Sequence, residues 1–437
     1  MPLTASENTA VAADLLHRTS RRHIVRAVER RWPDKEIVLG PQHPSVTSYV
    51  CRVTVNGEDL IAKYSWLGLS LVSILRGVGG TWEEVQEAQR AYVERADLVT
   101  GREAQNLAFL RRLGRPRVCG TVGLHGGVLL TRIVEGTSLV QALTARPWET
   151  NALLDAVLLA LGDLHSTAGA ERLRGVAPIG ERSVVGVFRR KFNGLSTAGR
   201  LRTLGQDSGL PEHERQEVAE LVRTAAWRLL RMAGAISTRR DLLVFGDLKP
   251  EHVHIDGPHL NFIDPAVQWA AGPQPDIAKL TGRAVLLAVG HPDRSAGSQI
   301  VQGVAATLAR YLAALPEHER AGQLREIMVL WLMDTVSILS TCLSAPQGLL
   351  LTSHQQSLVE RARTVAGFVD RASALLVGSS GCCWPGTRGC RRTGCMATSS
   401  ASTVTARSSA RRRRPSTATR SPSRCGRSST NSTSGRR

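Results

Sequence analysis

Lysine is scarce in this sequence, and acidic residues are missing from one part of it. Lys and Arg together number 56 in the 437 residues, and only five of them are lysines: Lys35, Lys63, Lys191, Lys249 and Lys279. Residues 379–437 contain thirteen arginines and no Asp or Glu, so they hold thirteen of the nineteen net positive charges. That leaves +6 for residues 1–378, a mild charge that does not predict a nucleic-acid partner.

Cysteine and long apolar runs are also sparse in residues 1–378. Cys51, Cys119 and Cys342 are far apart in the sequence, which argues against a disulfide framework and favours a reducing compartment. The first residues lack a charged segment followed by an apolar core, and no apolar run approaches the roughly 20 residues of a membrane span. We therefore expect a cytoplasmic protein with no membrane span.

Large aliphatic side chains are nearly absent from residues 379–437, which consist mainly of Ser, Thr, Arg, Gly and Pro. Such a composition cannot bury a core, so this tail is predicted to be disordered and basic. The four arginines at 411–414 would suit nucleic acid. A GC-rich gene read out of frame gives the same composition, and we favour this second interpretation.

The residues before the tail change their apolar period twice. Residues 1–35 carry a partial helical stripe, and three strands are predicted over 37–39, 49–55 and 60–63 with a hairpin turn at Asn56-Gly57. Helices are predicted over 148–168, 212–236, 296–314, 319–344 and 353–377, on either side of the stretch 243–264. The chain is therefore predicted to be α+β, with a small antiparallel sheet before a larger helical part.

Residues 243–264 read LVFGDLKPEHVHIDGPHLNFID and carry the strongest signal in the chain. Two short apolar strands flank the turn residues 256–258, which predicts a hairpin. Asp247 precedes the first strand and Asp264 ends the second, so the hairpin brings both carboxylates towards one site. Two carboxylates there suit a base that orients a hydroxyl and a ligand for Mg²⁺.

The stretch GDLKP at 246–250, followed by a hairpin and Ile-Asp, resembles the catalytic and metal loops of the protein-kinase-like superfamily. Its Gly-Asp pair is closer to the aminoglycoside phosphotransferase-like family than to protein kinases. Three residues depart from that family's pattern: Phe245 replaces a His, His252 replaces the metal-binding Asn, and Pro265 replaces a Phe or Trp.

The resemblance implies a two-lobed protein-kinase-like fold. It implies an N-terminal helical extension over 1–35 and a small nucleotide-binding lobe over 36–136. A large, mainly helical catalytic and acceptor-binding lobe then covers 137–378, before the tail at 379–437.

The same resemblance implies that ATP lies between the lobes. Lys63, in Ile-Ala-Lys at the end of the third strand, would contact the phosphates, and Glu103 would hold Lys63. Ser45 and Ser48 lie in the first turn of the small lobe, which lacks a glycine-rich pattern, and would donate hydrogen bonds to phosphate.

Catalytic roles follow for the hairpin region. Asp247 would orient the acceptor hydroxyl, and Lys249 would steady the migrating phosphoryl group. Asp264 would hold Mg²⁺, with His252 as a second metal ligand. Asp276 and His165 are predicted to be structural, with Asp276 bracing the catalytic loop.

The implied activity is ATP-dependent O-phosphotransfer to a small molecule, namely an aminoglycoside-like antibiotic, an aminocyclitol or a sugar. No Ala-Pro-Glu segment follows Asp264, which argues against a protein kinase. His252 and the missing glycine loop keep open a catalytically weak, kinase-like nucleotide-binding module. A kinase of a biosynthetic intermediate, rather than an antibiotic-resistance enzyme, is the other alternative. The sequence does not assign an oligomeric state.

Overall fold

The computed structural model describes residues 5–174 and 183–378, and the predicted tail at 379–437 lies outside this range. The strands are β1 (Ile37–His43), β2 (Tyr49–Val55), β3 (Glu58–Tyr64), β4 (Arg117–Val118), β5 (Thr121–His125), β6 (Val128–Arg132), β7 (Thr137–Ser138), β8 (Leu242–Val244), β9 (Val253–Asp256), β10 (His259–Phe262) and β11 (Gln268–Ala270).

Helices account for most of the remaining chain. They are α1 (Ala5–Arg31), α2 (Leu71–Leu75), α3 (Trp82–Tyr92), α4 (Val99–Leu113), α5 (Leu139–Ala145), α6 (Thr150–Ala160), α7 (Thr167–Arg174), α8 (Val184–Lys191), α9 (Gly194–Arg202), α10 (Glu212–Met232), α11 (Gln274–Gly290), α12 (Arg294–Ala313), α13 (Glu317–Leu343), α14 (Ser353–Glu360) and α15 (Ala362–Gly378).

The small lobe is built on a five-stranded antiparallel sheet in the order β1-β2-β3-β6-β5. Successive side chains of a strand point to opposite faces. On β3, Leu60, Ala62 and Tyr64 are therefore buried on one face, and Lys63 points to the other. The buried face packs against α1 in one apolar core, so the predicted N-terminal extension is integrated with the small lobe.

The segment between β3 and α4 also packs on the small lobe. Trp66 and Leu71 are fully buried there, in the same apolar core as α1. The N–H of Leu71 donates to the carbonyl of Val46 at 2.9 Å, which ties α2 to the loop between β1 and β2. Burial of these side chains stabilises the lobe and fixes the position of that loop.

The large lobe has a separate apolar core, to which α10, α11, α13 and α15 contribute. Among the described residues, α13 alone is long and apolar enough to cross a membrane, but 83% of its most apolar stretch is buried inside the protein. Burial on all sides also explains why the apolar period did not reveal α11, since a helix surrounded by protein has no polar face.

The predicted hairpin is present, with β9 and β10 paired in the register Asp256 to His259 around a two-residue turn. It forms the centre of a four-stranded sheet in the order β4-β10-β9-β7. A second pair, β8 with β11, flanks the residues that precede Asp247. The predicted α+β organisation, an antiparallel small lobe before a larger helical lobe, is confirmed.

Candidate active site

Gly246 shapes the backbone just before Asp247. Its φ angle is +84°, and a Cβ at this position would lie 2.0 Å from the carbonyl oxygen of Ala266. The N–H of Ala266 in turn donates to the carbonyl of Phe245 at 2.9 Å, so the two segments lie side by side. Only glycine combines this left-handed conformation with so close an approach.

Asp276, at the start of α11, holds the backbone of Phe245 and Gly246 in place. Its carboxylate accepts the N–H of Phe245 at 2.6 Å and the N–H of Gly246 at 2.8 Å. The Nε2 of His165 lies 2.9 Å from the same carboxylate. Asp276 is fully buried, and its hydrogen bonds replace the water it has lost. Asp276 thus holds the backbone before Asp247 in place, as predicted, and the structural role of His165 stays a prediction.

The Asp247 carboxylate lies between two lysines. Its Oδ2 is 2.9 Å from the Nζ of Lys249 and its Oδ1 is 2.5 Å from the Nζ of Lys279. Burial by itself would raise the pKa of Asp247, but the two ammonium groups outweigh burial and hold the pKa well below its usual value. This carboxylate is therefore ionised at neutral pH and accepts hydrogen bonds.

Lys279 is a site residue that the sequence motifs did not reveal. It lies three residues after Asp276 on α11, so both side chains share one face of the helix. Its Nζ is also 3.8 Å from Asp334, which binds Arg283 at 2.6 Å. Lysine scarcity was a usable signal for Lys279, whereas nothing in the sequence linked Asp334 to Asp247.

Lys63 joins the small lobe to the loop that carries Asp264. Its Nζ lies 2.6 Å from Oε2 of Glu103 and also donates to Oδ1 of Asp264, which lies 201 residues away in sequence. Burial would lower the pKa of Lys63, but the two carboxylates outweigh burial and raise it. The structure thus brings together the predicted Lys63–Glu103 pair and adds Asp264 to it.

The pKa values of the two carboxylates around Lys63 shift in opposite directions. Burial, reinforced by the charge of Asp264, raises the pKa of Glu103. Burial also opposes ionisation of Asp264, but there the Lys63 ammonium dominates and lowers the pKa. Asp264 is thus the carboxylate that stays charged, as a ligand for a hard cation must.

Asp264 has an uncommon backbone conformation for a residue other than glycine, with φ at +59°. The next residue is anchored, because the amide of Asn106 donates to the carbonyl of Pro265 at 3.2 Å. Non-glycine residues in this region cluster at functional sites, where the surrounding structure holds them in place. This anchoring keeps the Asp264 side chain aimed at Lys63.

His252 lies between the two aspartates. Its Nδ1 is 2.9 Å from the carbonyl oxygen of Asp247, and its Nε2 is 3.3 Å from Oδ2 of Asp264. A carbonyl only accepts hydrogen bonds, so Nδ1 carries a proton. Burial and the charge of Lys249 lower the pKa of His252, which keeps the ring neutral at pH 7 and directs the Nε2 lone pair at Asp264.

A cation fits this arrangement. One ligand atom from each of Asp247, His252 and Asp264 lies within 4.8 Å of the others. A neutral imidazole nitrogen facing a carboxylate oxygen is unfavourable unless a positive charge lies between them. The two carboxylates suit Mg²⁺, whereas the imidazole is a ligand that transition metals accept more readily.

The two predicted phosphate-binding serines lie in the loop between β1 and β2. The hydroxyl of Ser45 accepts the N–H groups of Thr47 at 3.4 Å and Ser48 at 3.3 Å, and Ser48 is buried. Among the described residues, no hydrogen bond joins either serine to Lys63 or Asp264. Their contact with phosphate therefore stays a prediction.

Comparison with known proteins gives one family-model match, in the central part of the chain. A family model described as a phosphotransferase enzyme family matches residues 68–266, which include both aspartates but begin just after Lys63. No curated protein sequence matches this chain.

Several solved structures are similar to this chain at low identity. Aminoglycoside phosphotransferase APH(4)-Ia is 11% identical with a TM-score of 0.46, covering 83% of this chain and 99% of its own. A choline kinase from Cryptosporidium parvum is 10% identical with a TM-score of 0.43, covering 82% of this chain and 97% of its own. Spectinomycin phosphotransferase APH(9)-Ia is 10% identical with a TM-score of 0.42, covering 78% and 93%.

The family match and the geometry agree on the same residues. The matched region contains the braced loop at Asp247, the hairpin and the metal loop at Asp264. The match over residues 68–266 is in line with the resemblance predicted from the sequence.

Proposed function

We propose that this protein transfers the terminal phosphoryl group of ATP to a hydroxyl of a small molecule. One observation carries the proposal: Asp247, His252 and Asp264 converge within 4.8 Å. Lys63 of the small lobe contacts the same cluster through Asp264. Phosphoryl transfer needs charge stabilisation and positioning more than covalent chemistry, and this cluster supplies both.

The nucleotide would contact the Lys63 side of the cluster. Glu103 holds the Lys63 ammonium at 2.6 Å, which fixes a compact positive charge suited to phosphate. Asp264 would hold Mg²⁺, with His252 as an additional ligand. When bound, ATP supplies the phosphoryl group and Mg²⁺ neutralises negative charge on its oxygens.

Asp247 would orient the acceptor hydroxyl. Its pKa is held well below the usual value by Lys249 and Lys279, so it accepts a hydrogen bond from the hydroxyl without retaining the proton in the ground state. Lys249 lies 2.9 Å from Asp247, close enough to steady a phosphoryl group that arrives there. In this proposal Lys279 positions Asp247 and does not contact the nucleotide.

The acceptor proposed is an aminoglycoside-like antibiotic, an aminocyclitol or a sugar. It rests on the Gly-Asp pair at 246–247, which is closer to the aminoglycoside phosphotransferase-like family than to protein kinases. A role in antibiotic resistance within the cytoplasm follows if the acceptor is an antibiotic. A biosynthetic intermediate as acceptor would leave the chemistry unchanged.

A second candidate function is a nucleotide-binding module with weak catalysis. The specific observation behind it is His252, whose imidazole takes the position of an amide ligand. An imidazole supports Mg²⁺ less well than an amide oxygen does. The two candidates share nucleotide binding and differ in turnover.

A phosphate-transfer screen tests the proposal. The full chain would be incubated with ATP, Mg²⁺ and a panel of aminocyclitols, sugars and nucleosides, and phosphorylated products would be measured. We expect transfer to at least one acceptor, and expect Asp247→Ala to abolish transfer while leaving folding and ATP binding intact. Wild-type rates in Asp247→Ala would contradict the role of Asp247. ATP binding without transfer to any acceptor would favour the module.

A further inference from the structure

A cavity of about 390 Å³ lies behind the sheet of the small lobe, between α1 and α3. This volume is in the range of small-molecule sites. The floor is formed by Tyr64 and Trp66, at and just beyond the end of β3, and both are fully buried. Lys63 points to the opposite face of β3, so this cavity is separate from the proposed nucleotide site.

The cavity wall is strongly basic. Arg22, Arg26 and Arg30 line it from α1, where their spacing of four residues places them along one face of the helix. Arg90 lines it from α3, and Glu94 is the single acidic residue among the lining side chains. Four guanidinium groups around one cavity favour a ligand with several negative charges.

Arg26 and Arg30 have charges that no acidic side chain of the described residues neutralises through an ion pair. Among the described residues, no ion pair joins Arg26 or Arg30 to an acidic side chain, whereas Arg90 pairs with Glu87. Their field also reaches the neighbouring ring of His23, whose pKa is lowered by burial and then by Arg26 and Arg22. An anion bound in the cavity would relieve this concentration of positive charge.

A buried hydroxyl provides a second, independent sign of a ligand. Tyr64 is fully buried and lines the cavity, yet its hydroxyl has no well-formed hydrogen bond. The neighbouring Gln89 amide accepts from the N–H of Leu67 and donates one of its two hydrogens to the carbonyl of Ser65, and it also interacts with this hydroxyl. Buried polar groups are normally paired, so this hydroxyl is an unusual feature of the cavity wall, and a ligand would reach it only after a small movement of the enclosing side chains.

We propose that the cavity lined by Arg22, Arg26, Arg30 and Tyr64 binds a small phosphorylated molecule outside the active site. The arginines would pair with phosphate oxygens through their planar guanidinium groups, and the Tyr64 hydroxyl would donate one further hydrogen bond. Neither step depends on phosphoryl transfer at Asp247, so this site stands apart from the proposed function.

Inorganic pyrophosphate is the probe for the first experiment. Its binding to the full chain would be measured by calorimetry in a Lys63→Ala background, which removes the phosphate-binding lysine of the active site. We expect binding to persist in Lys63→Ala and to weaken at least about tenfold when Arg26→Gln and Arg30→Gln are added. Both arginines are exposed, so these changes should leave folding intact.

Arg31→Gln is the matched control, since it removes one positive charge from α1 at a position that does not line the cavity. We expect this variant to bind pyrophosphate as tightly as its Lys63→Ala parent. Loss of all binding in Lys63→Ala, or equal binding with and without Arg26 and Arg30, would overturn the proposal. An equal loss in the Arg31→Gln control would also overturn it, because the effect would then be general surface charge.

Discussion

Asp247 and Asp264 are separated by one hairpin, but the fold holds them in different ways. Asp247 pairs with Lys249 and Lys279, so its lysine partners lie within 32 residues of it in the large lobe. Asp264 pairs with Lys63, 201 residues earlier and in the small lobe. One carboxylate therefore belongs to a single lobe, whereas the other links the two lobes.

This difference supports the proposed division of the candidate site into an acceptor side and a nucleotide side. A carboxylate held inside one rigid lobe suits the positioning of an acceptor hydroxyl, because its orientation does not depend on lobe movement. A carboxylate shared with the other lobe suits a ligand between the lobes, because its partner Lys63 would also contact phosphate. His252 touches both aspartates and joins the two halves.

Replacing one lysine partner of each aspartate with alanine would test this difference most strongly. We expect Lys63→Ala to lower kcat/KM for ATP about 10²- to 10³-fold, the usual cost of losing a preorganised charge at a reacting phosphate. Lys279→Ala should lower kcat about tenfold with little change in KM for ATP, because it acts only through Asp247. Steady-state kinetics against both substrates separates these patterns.

A matched folding control accompanies this pair, since each lysine side chain is only 13% exposed. Thermal unfolding of each variant would show whether the lobes remain assembled. If Lys279→Ala raised KM for ATP as much as Lys63→Ala did, the division between an acceptor side and a nucleotide side would be wrong.

Two glycines near the aspartates give a smaller effect. Gly246→Ala would place Cβ 2.0 Å from the Ala266 carbonyl, and we expect it to lower the free energy of unfolding by about 2–3 kcal/mol and to displace Asp247. Gly257 in the hairpin turn also has a positive φ, at +54°, but has no atoms within 4 Å of an added Cβ. Gly257→Ala should cost about 1 kcal/mol.

Urea denaturation monitored by circular dichroism measures both changes, and the transfer assay reports whether Asp247 has moved. Gly257→Ala should keep its transfer rate while Gly246→Ala loses it. Similar losses of stability in the two variants would show that the contact with Ala266 does not constrain the catalytic loop.

His252→Asn should have the smallest effect. We expect the variant to use Mg²⁺ better and Mn²⁺ less well than wild type, each by about three- to tenfold, because an amide oxygen is a harder ligand than imidazole. Transfer rates over a series of Mg²⁺ and Mn²⁺ concentrations would measure this change in metal preference. Unchanged metal preference would remove His252 from the metal site.

The same substitution has a pH signature. The pKa of His252 is lowered from its ordinary value of 6.5, so the ring is neutral above pH 6.5 and gains a proton only as the pH falls below that value. Protonation removes the Nε2 lone pair. In the wild type, Mn²⁺ affinity should therefore decrease as the pH is lowered below 6.5. In His252→Asn this fall should be absent, which a Mn²⁺ titration at several pH values would show.

The hairpin at the active site was predictable because its information is local. A two-residue turn between two apolar strands sets the register of β9 and β10, and the register sets where the chain enters and leaves. The Lys63–Glu103 pair was predicted through family resemblance, because no sequence period connects a strand end to a helix 40 residues later. The proposed roles of Ser45 and Ser48 rested on resemblance alone, and the described contacts leave them open.

Other parts of the site depend on packing between distant elements. Lys279 reaches Asp247 because α11 is buried against the catalytic loop, and burial on all sides erased the apolar period that would have marked the helix. Asp334 reaches this group from α13, and nothing in the sequence linked it to Asp247. The basic cavity needs α1 to dock beside α3, which no single segment encodes.

The sequence by itself determined the local elements: the small antiparallel sheet, the hairpin, and the order of Lys63, Glu103, Asp247 and Asp264 along the chain. These follow from turn residues and side-chain periods that act over a few residues. The tertiary structure decided which carboxylates Lys63, Lys249 and Lys279 pair with, and it brought the arginines of α1 and α3 together around one cavity. Ion pairing and burial depend on distances between elements far apart in sequence, and only the packed fold fixes those distances.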